Sequence, residues 1–403
     1  MSSSYKNRVI YLDNAAATPI NKAVLKEVSR AAELYGNPSS FNDAGRSARE
    51  EVEKSRLSIA RFIGARAEEI VFTSSGSEAN NMAIVGISAG GSRKKNKIIT
   101  TPIEHPSVLE PVKLLKSQGR AVTSLKVDGA GLIDINDLES KIDGNTRLIS
   151  VMYANNEIGT IEPIKKIAKI IKNFRQKLEI GNWELGIHET MYPLFHVDAC
   201  QATEYLDMNV NNLGADLLTF NGSKIYGPRG IGVLYIRRGV KITPYILGGD
   251  QEGGLRAGTE NLPAIVGLAK AISLIDKNEY PRLTKLRDYF FERILKLLPD
   301  IRINGAVGEA RLPNNINISI PGLSSEVMLL ELDKYGIYAG AGSACTARSV
   351  EPSHVLKAIG VENRYLEGAL RLSLGRETTK ADIEHLLKIL PKVVGDLRKR
   401  YTI

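Results

Sequence analysis

From Glu69 onward, short apolar runs alternate with longer segments of helical spacing. The runs 70–73, 97–101, 121–126, 148–152, 194–198, 217–220 and 231–236 are rich in aliphatic residues and too short for helices. They read as strands, most of them buried on both faces. Helices fall between several of them. The alternation predicts an α/β fold with a mostly parallel seven-stranded sheet and helices on both faces. Ahead of it, 20–35 places Val24, Val28 and Ala31 on one helical face, and 44–63 reads as a long amphipathic helix ending at Gly64. From Asn261 the character changes. An apolar helix over 263–275 and a charged amphipathic one over 280–298 precede strand-like 315–320 and 370–374 and a closing helix near 380–398. These predict a smaller α+β C-terminal domain. Segment 178–192, which holds the only tryptophan, Trp183, reads as a surface loop.

Composition narrows the classes. A chain of 403 residues exceeds what one core usually organises, so two domains are expected. Hydrophobic content of 43% and charged content of 25% are those of a soluble globular protein. No apolar run approaches a membrane span, and 1–6 lacks the apolar region of a secretory signal. Two cysteines imply no disulfide framework, so a cytoplasmic location is expected. The net charge of +9 admits an acidic partner or nucleic acid. Without a lysine-arginine block or an aromatic platform, a solvated surface and no nucleic acid are expected. No metal site is expected.

The candidate chemistry centres on Lys224. The strand 217–220 runs into Asn221-Gly222-Ser223, then the lysine, then Ile225-Tyr226-Gly227-Pro228. Alone, this reads as readily as a lysine whose ammonium reaches solvent at a strand end. Burial would instead lower its pKa and free the amine to join an aldehyde cofactor. Upstream, Phe195-His196-Val197-Asp198 delivers an aspartate at a strand end, and Thr73-Ser74-Ser75-Gly76-Ser77 leads from a strand into a helix. Pyridoxal phosphate asks a protein for a lysine, an acid against the pyridine nitrogen and a phosphate cradle. The helix start at Gly76 and Ser77, then Asp198, then Lys224 could supply the cradle, the acid and the amine in chain order. A glycine-serine turn by itself is equally a helix cap.

Asn155-Asn156-Glu157-Ile158-Gly159, Lys224-Ile225-Tyr226-Gly227-Pro228 and Gly342-Ser343-Ala344-Cys345-Thr346, the last followed by Glu351-Pro352-Ser353-His354, carry a family resemblance. From Tyr11 to about Arg376 the chain resembles the cysteine desulfurases of the iron-sulfur cluster and nitrogen-fixation type, within the class-V aminotransferases. The resemblance implies a fold type I aminotransferase-like architecture. Its large cofactor domain would span 16–262, and a small domain carrying the cysteine loop would be built from 1–15 and 263–403. It implies conversion of L-cysteine to L-alanine, with the sulfur held as a persulfide on Cys345 and passed to an iron-sulfur scaffold or another acceptor protein. Lys224 would hold the cofactor and move the substrate's α-proton. His105 would stack on the pyridine and take part in proton transfer. Asn156 and Gln201 would meet the phenolic oxygen, with Asn156 also beside the substrate, and Asn221 and Ser223 would stand at the phosphate. Arg371 would bind the substrate carboxylate, with an internal ion pair as the alternative. Cys200, ending a buried strand, reads as a packed core thiol.

Two positions depart from the family pattern. Ser223 stands where a histidine usually precedes the lysine, and Gly253 where an arginine is usual. Arg256-Ala257-Gly258-Thr259-Glu260-Asn261 is intact, and Thr259 would reach the phosphate of a neighbouring subunit, implying a homodimer with shared sites. A selenocysteine lyase or small-substrate aminotransferase of the same family, and a non-catalytic sulfur-relay scaffold, remain as alternatives.

Overall fold

The computed structural model describes residues 9–89, 96–184, 192–342 and 352–401, with the backbone alone over 179–184. In chain order its strands are β1 (Ile10–Tyr11), β2 (Ile70–Thr73), β3 (Lys97–Thr100), β4 (Ala121–Ser124), β5 (Thr146–Met152), β6 (Leu194–Asp198), β7 (Leu217–Asn221), β8 (Gly232–Ile236), β9 (Arg302–Ile303), β10 (Asn315–Ser319), β11 (Ile337–Tyr338) and β12 (Ala369–Ser373). Seven form the central sheet, in the order β2-β8-β7-β6-β5-β3-β4. Only β8 runs against its neighbours. The carboxyl ends of β2, β3, β5, β6 and β7 therefore share one edge, where ligands bind in open α/β sheets.

Alternation along the strands divides two cores. Ile149, Val151, Phe195, Val197, Leu218 and Phe220 face one side, under the helices Lys22–Ala32, Asp43–Ile63, Ile164–Glu184 and Leu262–Ser273. Leu148, Leu194 and Leu217 face the other, under Gly76–Ala89 and Pro106–Ser117. Burying each large apolar side chain contributes about 1.5–3 kcal/mol, so a sheet covered on both faces is held mainly by these layers. The long helix Asp43–Ile63 starts where Asn42 accepts the Gly45 amide at 2.9 Å and stops at Gly64, whose φ of 68° admits the left-handed cap.

A third core lies on the antiparallel sheet β12-β10-β9 and the helices Glu279–Leu297, Ser325–Asp333 and Lys380–Tyr401. Ile10 and Leu12 are part of it, because β1 pairs parallel with β11. Helix Leu262–Ser273, expected on this side of a change at 262/263, packs instead into the large-sheet core through Leu262, Ile265, Leu268 and Ala271. Its apolar composition suits two helical neighbours as well as it suits a new core. Segment 178–192 also differs from expectation. Helix Ile164–Glu184 runs on through its first part, and 185–191 lie outside the described residues. The run Gln176-Lys177-Leu178-Glu179 is made of good helix formers, which extends the helix.

Candidate functional site

At the carboxyl edge of the sheet, a cavity of about 220 Å³ collects groups from the ends of β2, β3, β5, β6 and β7. After β2 it is lined by Gly76 and Ser77 at the start of helix Gly76–Ala89. A side chain at Gly76 would force Cys200 and Asn221 to shift. A Cβ there would stand 2.7 Å from Cys200 Sγ and 2.8 Å from Asn221 Nδ2. The backbone thus comes close to the cavity at a helix N-terminus, where exposed amides and the helix dipole favour an anion.

After β3, His105 caps helix Pro106–Ser117, its Nδ1 accepting the Ser107 amide at 3.1 Å. The preceding Glu104 is fully buried and ties β3 to β5. Its Oε1 accepts from Thr101 Oγ1 at 2.8 Å and the Met152 amide at 2.9 Å, and burial pushes its carboxyl well above the usual range. After β5, Asn155 turns the chain by accepting the Glu157 and Ile158 amides, leaving Asn156 at the cavity. Asp198 ends β6, with Oδ1 on the Cys200 amide at 3.0 Å and Oδ2 accepting from Asn80 at 2.7 Å.

After β7, Ser223 donates to Asn221 Oδ1 at 3.0 Å, and Lys224 follows. The Lys224 ammonium donates to the carbonyls of Ala15 (2.8 Å) and Ala16 (2.5 Å), and Gln201 donates to the same Ala15 carbonyl at 3.0 Å. The turn beyond the lysine is strained. Tyr226 takes a φ of 60°, which costs a residue with a side chain on the order of 1–3 kcal/mol. Its amide donates to Thr18 Oγ1 at 2.7 Å, its hydroxyl accepts the Arg376 amide at 2.7 Å, and the Arg376 guanidinium lies 4.3 Å from its ring centroid. Those contacts offset the strain and hold the lysine at the end of its strand.

Arg371 enters from β12 and is 1% exposed. Its Nη2 pairs with Asp13 Oδ1 at 2.7 Å and its Nη1 donates to the Asn156 carbonyl at 3.3 Å. The internal ion pair left open by the sequence is therefore present, at the wall of the cavity. Gly340 backs onto it, since a Cβ there would meet both Asp13 and Arg371 within 3.0 Å.

Of the residues singled out from sequence, Gly76, Ser77, His105, Asn156, Asp198, Gln201, Asn221, Ser223, Lys224 and Arg371 line this one cavity. Thr259 does not. It is exposed, in a separate recess beside Ser74, Arg256 and Asn261. Cys345 lies outside the described residues, within 343–351. The chain on either side of that segment meets Glu157, the residue after Asn156 of the cavity. Gly342 lies beside the Glu157 carboxylate, and Ser353 donates to Glu157 Oε2 at 2.5 Å. Cys200 is not a packed core thiol. It is partly exposed and lines the cavity, because the chain leaves the sheet at Asp198 and Cys200 falls on the edge. Burial and the Asp198 carboxylate push its thiol well above the usual range. Ser75, in the turn that leads into helix Gly76–Ala89, lines the cavity as well, whereas Asn80 and Ser107 were given no role from sequence. An Asn80-Asn81 pair inside an otherwise apolar helix was the available signal.

Of the two departures from the family pattern, Ser223 lines the cavity and Gly253 lies outside it. The segment containing Gly253 is pinned by its neighbours, as Glu252 accepts two 2.8 Å bonds from Arg56 and one from the Phe72 amide, and Arg256 pairs with Glu78 at 2.8 Å.

The family model of aminotransferase class-V matches residues 10–180 and 183–386. A protein named cysteine desulfurase IscS, from Dictyoglomus turgidum, is 45% identical over 396 residues, covering 97% of this chain and 96% of its own. A solved NifS-like protein superposes with a TM-score of 0.87 at 34% identity, covering 96% of this chain and all of its own. A structure of SspA in complex with cysteine has a TM-score of 0.76 at 34% identity, covering 90% and 98%.

Proposed function

The chain belongs to the class-V aminotransferase family, and from that premise we infer that it is a cysteine desulfurase, taking sulfur from L-cysteine and leaving L-alanine. The observation that carries this reading is the convergence of the Lys224 amine, the Asp198 carboxylate and the N-terminus of helix Gly76–Ala89 on one cavity. Pyridoxal phosphate fits that set. Lys224 would hold its aldehyde, Asp198 its pyridine nitrogen, and the Gly76 and Ser77 end of the helix, with Asn221 and Ser223 beside it, its phosphate. Asn156 and Gln201, which line the same cavity, would meet its phenolic oxygen. When bound, the group supplies an electron sink.

The chain's own residues would do the rest. Arg371 takes the substrate carboxylate, sharing its guanidinium with Asp13. Lys224 removes the α-proton and later returns a proton to carbon. Asp198 keeps a proton at the ring nitrogen. The thiolate of Cys345 attacks the substrate sulfur, so that an S–S bond forms as the C–S bond breaks. L-alanine is the remaining product. Incubation of the protein with pyridoxal phosphate, L-cysteine and excess dithiol is expected to release alanine and sulfide in equal amounts. Cofactor binding without either product would favour the non-catalytic scaffold instead. L-selenocysteine accepted in strong preference to L-cysteine would favour the lyase.

Ser223 bears on the scaffold reading. We expect Ser223→His to change the dissociation constant for pyridoxal phosphate by less than about tenfold, because a helix N-terminus carries most of the anion binding. Fluorescence titration of the apoprotein measures it. A gain of several orders of magnitude would mean that the natural cradle is crippled.

The wider setting is also a proposal. The exposed position of Thr259, away from its own cavity, supports a homodimer in which it serves the partner subunit's phosphate. The separate cores support two domains, with the change after Ser273. Among the described residues no helix is long and apolar enough to cross a membrane. Together with the two-cysteine composition, we read the setting as cytoplasmic, with an iron-sulfur scaffold or other protein as sulfur acceptor.

A further inference from the structure

We propose that Asn80 and Ser107 are positioning residues that fix the tautomer of His105, keeping its proton on Nε2 and presenting the ring to the cavity as a neutral donor rather than as a base. The argument starts at the backbone. The Ser107 amide reaches His105 Nδ1 at 3.1 Å, and an amide hydrogen can only donate. Nδ1 is therefore an acceptor, and in a neutral ring the proton resides on the other nitrogen. The Ser107 hydroxyl lies 2.8 Å from the same Nδ1. Its own oxygen accepts from Asn80 Nδ2 at 2.8 Å, which leaves its hydrogen for the ring. Asn80 cannot reverse this polarity. The same Nδ2 donates to the Asp198 carboxylate at 2.7 Å, so the amide nitrogen is turned toward both partners. Asn80 is 1% exposed on the helix that begins at Gly76, which fixes its place.

The chain Asp198–Asn80–Ser107–His105 thus links the acid at the end of β6 to the ring at the end of β3. Nδ1 holds two donors and Nε2 its proton, so the ring offers no lone pair for proton abstraction. The groups facing the ring agree on balance. Burial lowers its basicity first, and Lys224 and His354 lower it further, against the single opposing influence of Asp198. The catalytic consequence rests on the desulfurase reading. Proton removal from the substrate then falls to Lys224, and His105 serves by stacking and by donating from Nε2. The tautomer itself does not depend on that reading.

The test is nitrogen NMR on the full-length holoprotein carrying 15N-histidine, with the His105 signals assigned by their loss in His105→Gln. At pH 7.5 we expect an unprotonated Nδ1 and a protonated Nε2 for His105. Ser107→Ala removes one donor to the neutral ring and should raise its titration midpoint by roughly one pH unit, the scale of one net hydrogen bond. Ser107→Thr, which keeps the hydroxyl, should restore the wild-type midpoint. A proton on Nδ1 in the wild type overturns the proposal with no variant needed, so a misfolded Ser107→Ala does not shelter it. Equal midpoints in wild type and a folded Ser107→Ala overturn the role of Ser107. If the tautomer is as stated but L-cysteine yields no alanine, the desulfurase reading fails and the positioning role stands.

Discussion

Lys224→Ala is expected to abolish turnover, lowering kcat by at least about 10²–10⁴-fold, the usual loss when a positioned proton-transfer group is removed. The loss should be larger in practice, because the same amine is expected to hold the cofactor. Borohydride treatment of the wild type should fix pyridoxal phosphate covalently to the peptide containing Lys224. The variant should retain cofactor only through the phosphate and ring contacts, and release it on dialysis. Lys224→Arg should not rescue, since a guanidinium is neither nucleophile nor base at neutral pH. The geometry makes the site specific to this lysine. The Lys224 ammonium reaches two backbone carbonyls of the turn at Ala15 and Ala16, held by a strand end on one side and by the strained Tyr226 turn on the other. A Lys224→Ala protein that still fixes the cofactor on another lysine would show that the chemistry is centred elsewhere.

The parts of this site that were legible in sequence share one property: each is local. Lys224, Asp198, His105 and Gly76 all lie within a few residues of the end of an apolar run, where turn chemistry marks a strand's exit. Because the sheet is mostly parallel, those exits fall on one edge. Order along the chain thus translated into proximity without any knowledge of strand order. What could not be read depends on pairs far apart in sequence. Asp13 and Arg371 are separated by 358 positions, and their ion pair exists because the chain just after β1 bridges β12 at Asp13 and Ser373, a pairing too short to leave a pattern. Helix Leu262–Ser273 is apolar enough to suit either core, and only its contacts with the helices Lys22–Ala32 and Asp43–Ile63 decide. Asn80 looks like a tolerated polar residue in a helix until Asp198 and Ser107 are seen on its amide. Cys200 follows a buried strand by two residues, and the pattern does not tell which side of the edge it takes. It lies against Gly76, where the cavity begins.

That position makes Cys200 the fair rival to Cys345 as sulfur carrier, and the chain holds no other cysteine. Cys200 lies in the cavity wall, its Sγ accepting a bond from Asn221 at 3.4 Å, and burial together with Asp198 keeps it protonated. A thiol held in that form is a poor nucleophile, since the thiolate is the attacking species. Cys345 stands in a run of glycine, alanine and serine, Ala339-Gly340-Ala341-Gly342-Ser343-Ala344, which suits a thiol that must travel. Cys345→Ala is therefore expected to bind L-cysteine and perturb the cofactor's absorption, since those steps need Lys224, Asp198 and Arg371 but no second thiol. It should release alanine and sulfide at a rate lower by at least about 10²-fold, the loss expected when an enzyme's nucleophile is removed. Cys200→Ala should turn over at close to the wild-type rate and lose about 1 kcal/mol of stability, as for a small partly buried group. Mass spectrometry after brief exposure to L-cysteine should find the added sulfur on the peptide containing Cys345. Sulfur on Cys200, or normal turnover by Cys345→Ala, would overturn the mechanism and make the thiol in the cavity wall the carrier.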